Sequence, residues 1–214
     1  MRNPNPSLPN RNHLYLAKSG HGKSQALKQN PYLVKRGARV ALWDPNNDHQ
    51  CHGYDRIGDW VAAVKRAHLA SLRTGCGFRI GYQGVDSHEA YAIWCKTVTA
   101  ILDGNLDTVL LAEELSTVSK GTAKAPLPAA KLLNQCRKYG GIFLGTSQKP
   151  QEINKTYFDQ CDHLVVGGQK TAAQRRKMAE EIGVTPEEIK GLAPLEFFYD
   201  DSQAVVRQRY RYVG

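Results

Sequence analysis

The sequence predicts an α/β fold with a mainly parallel central sheet, helices on its faces and a β-hairpin after the last helix. Short apolar runs alternate with amphipathic stretches along the chain, as in parallel sheets built through right-handed crossovers. One run, residues 108–112, is apolar at almost every position, which is typical of a strand buried on both faces. A glycine-rich turn at 18–22 follows the first run, where a strand would pass into a helix.

The strands are predicted from apolar runs that end at turn residues. The run at 13–17 leads into the glycine-rich turn, and the run at 39–43 ends at an Asp-Pro-Asn-Asn turn. The remaining predicted strands are 78–82, 108–112, 142–146, 163–166 and two strands within 196–212 around a turn at 200–202.

The helices are predicted from apolar residues at helical spacing. Such spacing over 56–72 indicates an amphipathic helix. Asp86, with Glu89 three residues later, predicts the N-terminal cap of a second helix that runs to Leu102. The remaining helical stretches are 128–139, 171–182 and a short helix opened by a capping box at 185–188, and 116–126 is predicted as a flexible loop.

The chain divides into an arm and one domain. Residues 1–12 contain three prolines and four asparagines, so they cannot sustain a helix or a strand ladder, and an extended arm is predicted. A length of 214 residues suits one domain, and we assign it to 13–214.

Composition narrows the function classes. The chain has 29 Lys+Arg and 20 Asp+Glu, a net charge of +9, which permits a polyanionic partner. We expect no membrane span and no secretion, because the apolar runs are short and residues 1–10 lack the apolar core of a signal peptide. Five cysteines without a CxxC pair indicate reduced thiols. His49, Cys51 and His52 lie too close together for a typical zinc pair.

Residues 17–24 (AKSGHGKS) match the phosphate-binding pattern GxxxxGK[ST], with Ala17 in place of the first glycine. An alanine there predicts a negative φ. We expect Lys23, solvent-facing without ligand, to balance the β/γ charge of ATP and Ser24 to bind Mg²⁺. The alternative is a glycine-rich turn that binds nothing. The predicted phosphate-binding residues are Gly20, His21, Gly22, Lys23, Ser24 and Gln25.

An acidic pair, Glu113 and Glu114, ends the predicted strand 108–112. We expect this strand to lie next to the strand that precedes the phosphate loop. Glu113 would then reach Mg²⁺ through a water molecule, and Glu114 would orient the attacking water as the catalytic carboxylate. The alternative is two solvated acids at a strand end.

Gln148 follows the predicted strand 142–146. If that strand lies beside 108–112, the Gln148 amide comes near the γ-phosphate, where it can hydrogen-bond both phosphate and water as a catalytic residue. An ordinary turn glutamine is the alternative.

The order of these motifs resembles the FtsK/HerA superfamily of hexameric DNA-translocating ATPases. The resemblance covers about residues 13–200, and its most specific stretch is LLNQCRKYGGIFLGTSQKPQEINK at 132–155. The chain departs from the family pattern at Ala17 and Glu113. The resemblance implies a RecA-like P-loop NTPase that uses ATP and Mg²⁺ and assembles into a pentameric or hexameric ring.

The length of the chain narrows the resemblance to one group within this superfamily. Bare motors of just over 200 residues resemble the genome-packaging ATPases of membrane-containing icosahedral phages of the tectivirus and corticovirus type. That likeness implies a ring at a capsid vertex, in the host cytoplasm and in the virion, that pumps double-stranded DNA inward. Three alternatives remain open: a filamentous-phage assembly and DNA-export ATPase, a small-molecule P-loop kinase, and a non-hydrolysing DNA-binding protein with a relic P-loop.

Ring ATPases of this kind take an arginine from the neighbouring subunit. Arg137 closes the predicted helix after the acidic strand and matches the arginine of the family's Arg-Lys-x-Gly stretch, so we expect it to act in trans. Arg175 and Arg176 are weaker alternatives. A helix-end charge that only complements the helix dipole is a further reading of Arg137.

Basic residues at two places are candidates for DNA contact. Lys120 and Lys124 lie in the loop after the acidic pair, where a ring motor would present mobile basic loops to its channel. Arg207, Arg209 and Arg211 alternate along the last predicted strand and would share one face. The alternatives are a solvated loop and an edge strand protected by charge.

Overall fold

A sheet of nine strands organises the computed structural model, which describes residues 2–119 and 121–213. The strands are β1 (His13–Leu16), β2 (Arg39–Trp43), β3 (His52–Tyr54), β4 (Phe78–Tyr82), β5 (Thr108–Ala112), β6 (Gly141–Ser147), β7 (His163–Val166), β8 (Glu196–Asp200) and β9 (Val205–Arg209).

The helices lie on both faces of this sheet. They are α1 (Lys23–Lys28), α2 (Pro31–Val34), α3 (Ile57–Thr74), α4 (His88–Ile101), α5 (Leu115–Val118), α6 (Leu127–Cys136), α7 (Lys155–Asp159), α8 (Ala172–Ile182) and α9 (Pro186–Lys190), with 3₁₀ turns at Arg137–Tyr139 and Pro150–Glu152. No helix in the described part of the chain is both long enough and apolar enough to cross a bilayer.

The strand order is β3-β4-β2-β5-β6-β1-β7-β8-β9. Every pairing from β3 to β7 is parallel, whereas β8 and β9 form an antiparallel hairpin beside β7. The predicted fold class is therefore confirmed. Because β1, β5 and β6 run in the same direction, their carboxyl ends meet at one edge of the sheet.

One predicted adjacency is wrong. The acidic strand β5 does not lie next to β1, because β6 lies between them and pairs with both. Ala112 is opposite Gly145, and Leu16 is opposite Ser147. The end of β6 therefore separates the phosphate loop from the acidic pair. The predicted adjacency of β6 and β5 is confirmed.

Two apolar cores hold the layers together. The larger lies under α3, α4 and α6 and contains all three tryptophans, with the Trp60 and Trp94 rings 6.3 Å apart. The smaller lies on the opposite face, under α1 and α2. Each strand of the sheet centre is buried on both sides, which explains the near-continuous apolar runs in the sequence.

Several element boundaries differ from the predictions. The cap of α4 is Ser87, whose hydroxyl accepts the Ala90 N–H at 3.1 Å, so the assignment to the exposed Asp86 is wrong. The predicted loop 116–126 begins with a helical turn, α5. The predicted helix 128–139 finishes as a 3₁₀ turn and ends at Gly140. The capping box that opens α9 at Thr185 is confirmed.

Residues 2–12 contain no helix or strand and lie against the amino edge of the sheet. The Asn3 N–H donates to Asp103 O at 2.5 Å, and the Asn5 N–H donates to Lys138 O at 2.7 Å. Arg2 lies over the Tyr139 ring, 3.7 Å from its centroid.

A candidate nucleotide-binding site at the carboxyl edge of the sheet

The phosphate loop joins β1 to α1 and takes its shape from two glycines. Gly20 and Gly22 have φ values of 74° and 96°. A Cβ at Gly22 would lie 2.4 Å from the Leu195 side chain, so both conformation and space require glycine there. Ala17 is not among the residues with positive φ, as predicted. The loop is fixed by Lys18, whose N–H donates to Gly168 O at 2.9 Å.

His21 turns its side chain away from the loop and into the protein. Its imidazole Nε2 donates to Glu196 O at 2.9 Å, and its ring packs edge-on against Phe197 with centroids 5.2 Å apart. Burial lowers the pKa of the His21 imidazole. The backbone N–H donates to Lys18 O at 3.3 Å, so a phosphate would have to replace that hydrogen bond.

Lys23 is buried, which corrects the prediction of a solvent-facing side chain. Its ammonium lies 3.3 Å from Glu113 Oε2 and donates to Thr146 Oγ1 at 2.9 Å. A buried cation requires a counter-charge, and the carboxylate at the end of β5 supplies it. Lys23 and Glu113 therefore meet across β6.

Glu113 is only 2% exposed and accepts hydrogen bonds from several sides. His49 Nε2 donates to its Oε1 at 2.6 Å, and the Thr146 hydroxyl donates to its Oε2. Burial raises the pKa of Glu113, but the His49 hydrogen bond and the Lys23 charge outweigh it and lower the pKa to about 2. The side chain is therefore a carboxylate at neutral pH.

Glu114 lies in the left-handed region, with φ 47° and ψ 64°. A residue with a Cβ adopts this conformation at a cost of about 1–2 kcal/mol. Its Oε1 accepts from Ser116 Oγ at 2.6 Å, Ser147 Oγ at 3.0 Å and the Gln148 N–H at 3.1 Å. The strained backbone and the three donors hold the carboxylate in one place.

Apart from His21 and Arg137, the residues predicted for phosphate, metal and catalysis line one depression of about 320 Å³. Gln148 is exposed and borders it from the end of β6. Ser24 and Gln25 border it from the first turn of α1. The complete lining is Lys18, Ser19, Gly20, Gly22, Lys23, Ser24, Gln25, Asn46, Asp48, Glu113, Glu114, Gln148 and Tyr212.

The sequence did not point to Thr146 and His49, which hold the acidic pair in place. Thr146 bridges the two acids, since its hydroxyl donates to Glu113 and accepts the Glu114 N–H at 3.1 Å. His49 reaches Glu113 because the Asp44 carboxylate accepts the His49 N–H at 3.1 Å and shapes the turn after β2. The Asp-Pro sequence indicates a turn after β2. That turn is part of the site only because β2 pairs with β5, which brings the turn beside Glu113.

Arg137 lies at the opposite edge of the sheet, before β6 begins. Its guanidinium Nη1 donates to Pro6 O at 2.7 Å and also to Leu8 O. The arm therefore holds this side chain, and Arg137 does not line the depression.

The basic DNA-contact candidates are dispersed. Lys120 lies outside the described residues, and Lys124 is exposed. Arg207 and Arg209 are on β9, but Arg207 pairs with Glu196 at 2.5 Å. Arg211 lies beyond the end of β9, so the prediction that all three arginines share one strand face is wrong.

Known structures match this fold over nearly its whole length. The genome packaging NTPase B204 from Sulfolobus turreted icosahedral virus 2, in complex with AMPPCP, aligns with a TM-score of 0.76 at 15% identity, covering 96% of this chain and 100% of that one. VirB4 of Thermoanaerobacter pseudethanolicus aligns with a TM-score of 0.65 at 11% identity over 95% and 90% of the two chains. The bacterial conjugative coupling protein TrwBdeltaN70 aligns with a TM-score of 0.65 at 14% identity over 94% and 84%.

The sheet topology and the phosphate loop together are those of a RecA-like P-loop ATPase fold. The same fold is seen in a viral genome-packaging NTPase. No family model matches the chain. A curated relative, Protein P9 of Pseudoalteromonas phage PM2, is 30% identical over 187 residues, which is 87% of this chain and 82% of that protein. The chain belongs to the family of this phage protein.

Proposed function

We propose that this protein is an ATPase that moves double-stranded DNA into a preformed viral capsid. The observation that carries the proposal is the Glu114 carboxylate, which is held in a strained conformation beside the phosphate loop. A protein that only bound nucleotide would not require a carboxylate positioned for water. The likeness of the fold to a genome-packaging NTPase supports the choice of DNA packaging among ATPase functions.

In the proposed reaction the loop N–H groups bind the ATP phosphates, and Lys23 exchanges Glu113 for the β- and γ-phosphates. Glu114 accepts a proton from the attacking water, and the bond between the γ-phosphorus and the β–γ bridging oxygen breaks. We propose that the Gln148 amide, which borders the depression just after β6, hydrogen-bonds the γ-phosphate and responds to the loss of that phosphate.

The donor set suits Mg²⁺, because the Ser24 hydroxyl is a hard oxygen ligand and the buried Glu113 carboxylate would hold the ion through a water molecule. No group of three or more His, Cys, Asp or Glu side chains within 2–119 and 121–213 could hold a metal ion. The other ligands would accordingly be phosphate oxygens and water, as is usual for this cation. When bound, it would neutralise charge on the β- and γ-phosphates.

We propose a pentameric or hexameric ring in which Arg137 of one subunit serves the site of the next. Arg137 lies at the end of a rigid helix and on the edge of the sheet away from its own loop, which suits a residue that acts in trans. To do so, its guanidinium must leave the carbonyls of Pro6 and Leu8. Double-stranded DNA would be held through its phosphates by five basic residues: Lys120, Lys124, Arg207, Arg209 and Arg211. The ring would dock on capsid vertex proteins in the host cytoplasm and would remain in the virion.

Steady-state ATP hydrolysis with and without double-stranded DNA tests this function. We expect DNA to stimulate hydrolysis. We also expect the protein, as it moves along a duplex, to displace a third strand bound to that duplex as a triplex. Phosphate transfer to a nucleoside monophosphate would identify a kinase instead. Silence under all conditions would identify a non-hydrolysing protein.

A further inference from the structure

The segment that follows β9 lies along helix α1. Gln29 Nε2 donates to Arg211 O at 2.8 Å, and Gln25 Oε1 accepts the Val213 N–H at 2.8 Å. Gln25 lies in α1 and Gln29 is the residue that caps its C-terminus four positions later, so both side chains lie on one side of the helix. The start of the segment is fixed as well, because the Tyr210 N–H donates to Leu195 O at 2.9 Å.

Tyr212 lies between Arg211 and Val213, the two residues whose backbone groups are hydrogen-bonded to the glutamines. Tyr212 borders the same depression as Ser24 and Gln25, and 75% of the residue's surface is exposed. Exposure of a large aromatic ring leaves apolar surface in water, and a flat ligand would cover that surface. The two glutamine hydrogen bonds limit the positions that the ring can take.

The chemistry of the site decides which part of a nucleotide reaches Tyr212. The γ-phosphate belongs near Glu114 and Gln148, which enter from β5 and β6, and Lys23 binds the β- and γ-phosphates. The nucleoside must leave the loop at the other end of the triphosphate. Tyr212 borders the depression from the segment that runs along α1. The next residue, Val213, donates its N–H to Gln25, which is the last of the proposed phosphate-binding residues.

We propose that the Tyr212 ring is the platform on which the nucleotide base stacks. This inference rests on the proposed function, since it requires ATP at the phosphate loop. Stacking needs only the face of the ring, so the phenol hydroxyl contributes little. The bound base would in turn cover Tyr212, which would connect nucleotide occupancy to the position of residues 210–213.

The test compares ATP with inorganic tripolyphosphate, which has the phosphates but no base, by titration calorimetry. Tyr212→Ala should weaken ATP binding by roughly 5- to 150-fold, the usual range for loss of one base–aromatic stack, and should change tripolyphosphate binding by less than about twofold. Tyr212→Phe is the matched control and should bind ATP within about threefold of the wild type, because it retains the ring.

Gln29→Ala provides a second variant that leaves both the loop and Tyr212 intact. It releases the carbonyl of Arg211, so we expect it to weaken ATP but not tripolyphosphate. Equal losses of both ligands in Tyr212→Ala would mean that the segment only supports the loop, and no loss would place the base elsewhere. Either result overturns the proposal. If the wild type bound neither ATP nor tripolyphosphate, the proposed function itself would be wrong. If it bound ATP but DNA did not stimulate hydrolysis, the proposal of DNA translocation would be wrong and the proposal of base stacking on Tyr212 would stand.

Discussion

The backbone N–H of Gln148 donates to both oxygens of the Glu114 carboxylate, at 3.1 and 3.3 Å. A peptide group at the end of β6 thus fixes the acid at the end of β5, and the side chain of the same residue faces the depression. If Gln148 shifted on loss of the γ-phosphate, its hydrogen bonds to the Glu114 carboxylate would change as well.

Glu114→Gln should bind ATP with nearly wild-type affinity and hydrolyse it about 10²–10⁴-fold more slowly, because an amide cannot accept the proton of the attacking water. Single-turnover hydrolysis and an independent ATP titration measure the two effects. If Glu113→Gln proves to be the slow variant while Glu114→Gln remains normal, the roles within the acidic pair are reversed.

Lys23→Ala should abolish ATP turnover and also lower the free energy of unfolding by about 1–3 kcal/mol, since Glu113 loses a buried counter-charge but keeps its other hydrogen bonds. Denaturant unfolding measures the stability. The double variant Lys23→Ala/Glu113→Gln should recover part of this loss, because no unpaired charge remains. Unchanged turnover in Lys23→Ala would remove the phosphate-loop assignment.

Glu113 should make folding stability depend on acid. Its pKa in the folded protein, about 2, lies below its ordinary value of 4.5, so its stabilising effect is complete above pH 4.5 and is lost as the pH falls towards 2. Glu113→Gln should flatten the fall in unfolding free energy across this interval. An equal slope in the variant and the wild type would show that other groups cause the acid sensitivity.

Arg137 should be supplied by one subunit to another. Arg137→Ala should slow hydrolysis by about 10³–10⁵-fold if the residue acts as an arginine finger. Subunits with Arg137→Ala keep an intact phosphate loop, and subunits with Lys23→Ala keep an intact arginine, so mixed rings should regain part of the activity that each variant lacks. Absence of recovery in rings shown to be mixed would remove Arg137 from the catalytic residues.

DNA binding should weaken steeply with salt and show no sequence preference, because a packaging motor must hold phosphates rather than base edges. Arg209→Gln should reduce the slope of log affinity against log salt by about 1. Arg207→Gln, a second DNA-contact candidate on the same strand, should have a smaller effect, since its guanidinium already pairs with Glu196. A footprint at one defined sequence at physiological salt would contradict this expectation.

The apolar pattern was enough to locate the main strands and helices, because burial on two faces leaves a continuous signal at 108–112 and 142–146. It could not place β6 between β1 and β5, because the order of strands depends on how each crossover packs on the sheet. The cap of α4 was missed by one residue, since Ser87 rather than Asp86 reaches the free N–H of Ala90.

The site was predictable where neighbours in sequence make it. The loop around Lys23 and the acidic pair could be recognised from spacing alone. His49 and Tyr212 could not, because each reaches the site through contacts between distant segments: a turn after β2 in one case and hydrogen bonds to α1 in the other. The burial of Lys23 was likewise invisible without the position of Glu113.

The left-handed backbone of Glu114 has a consequence for engineering. Glycine adopts φ 47° without strain, so Glu114→Gly would relieve the backbone at the same position at which it removes the carboxylate proposed to activate water. A search for thermostable variants that ignored turnover would therefore be drawn towards inactive protein at residue 114. If Glu114 has its proposed role, stability and turnover make opposite demands on this one residue, and a screen has to measure both to keep the protein active.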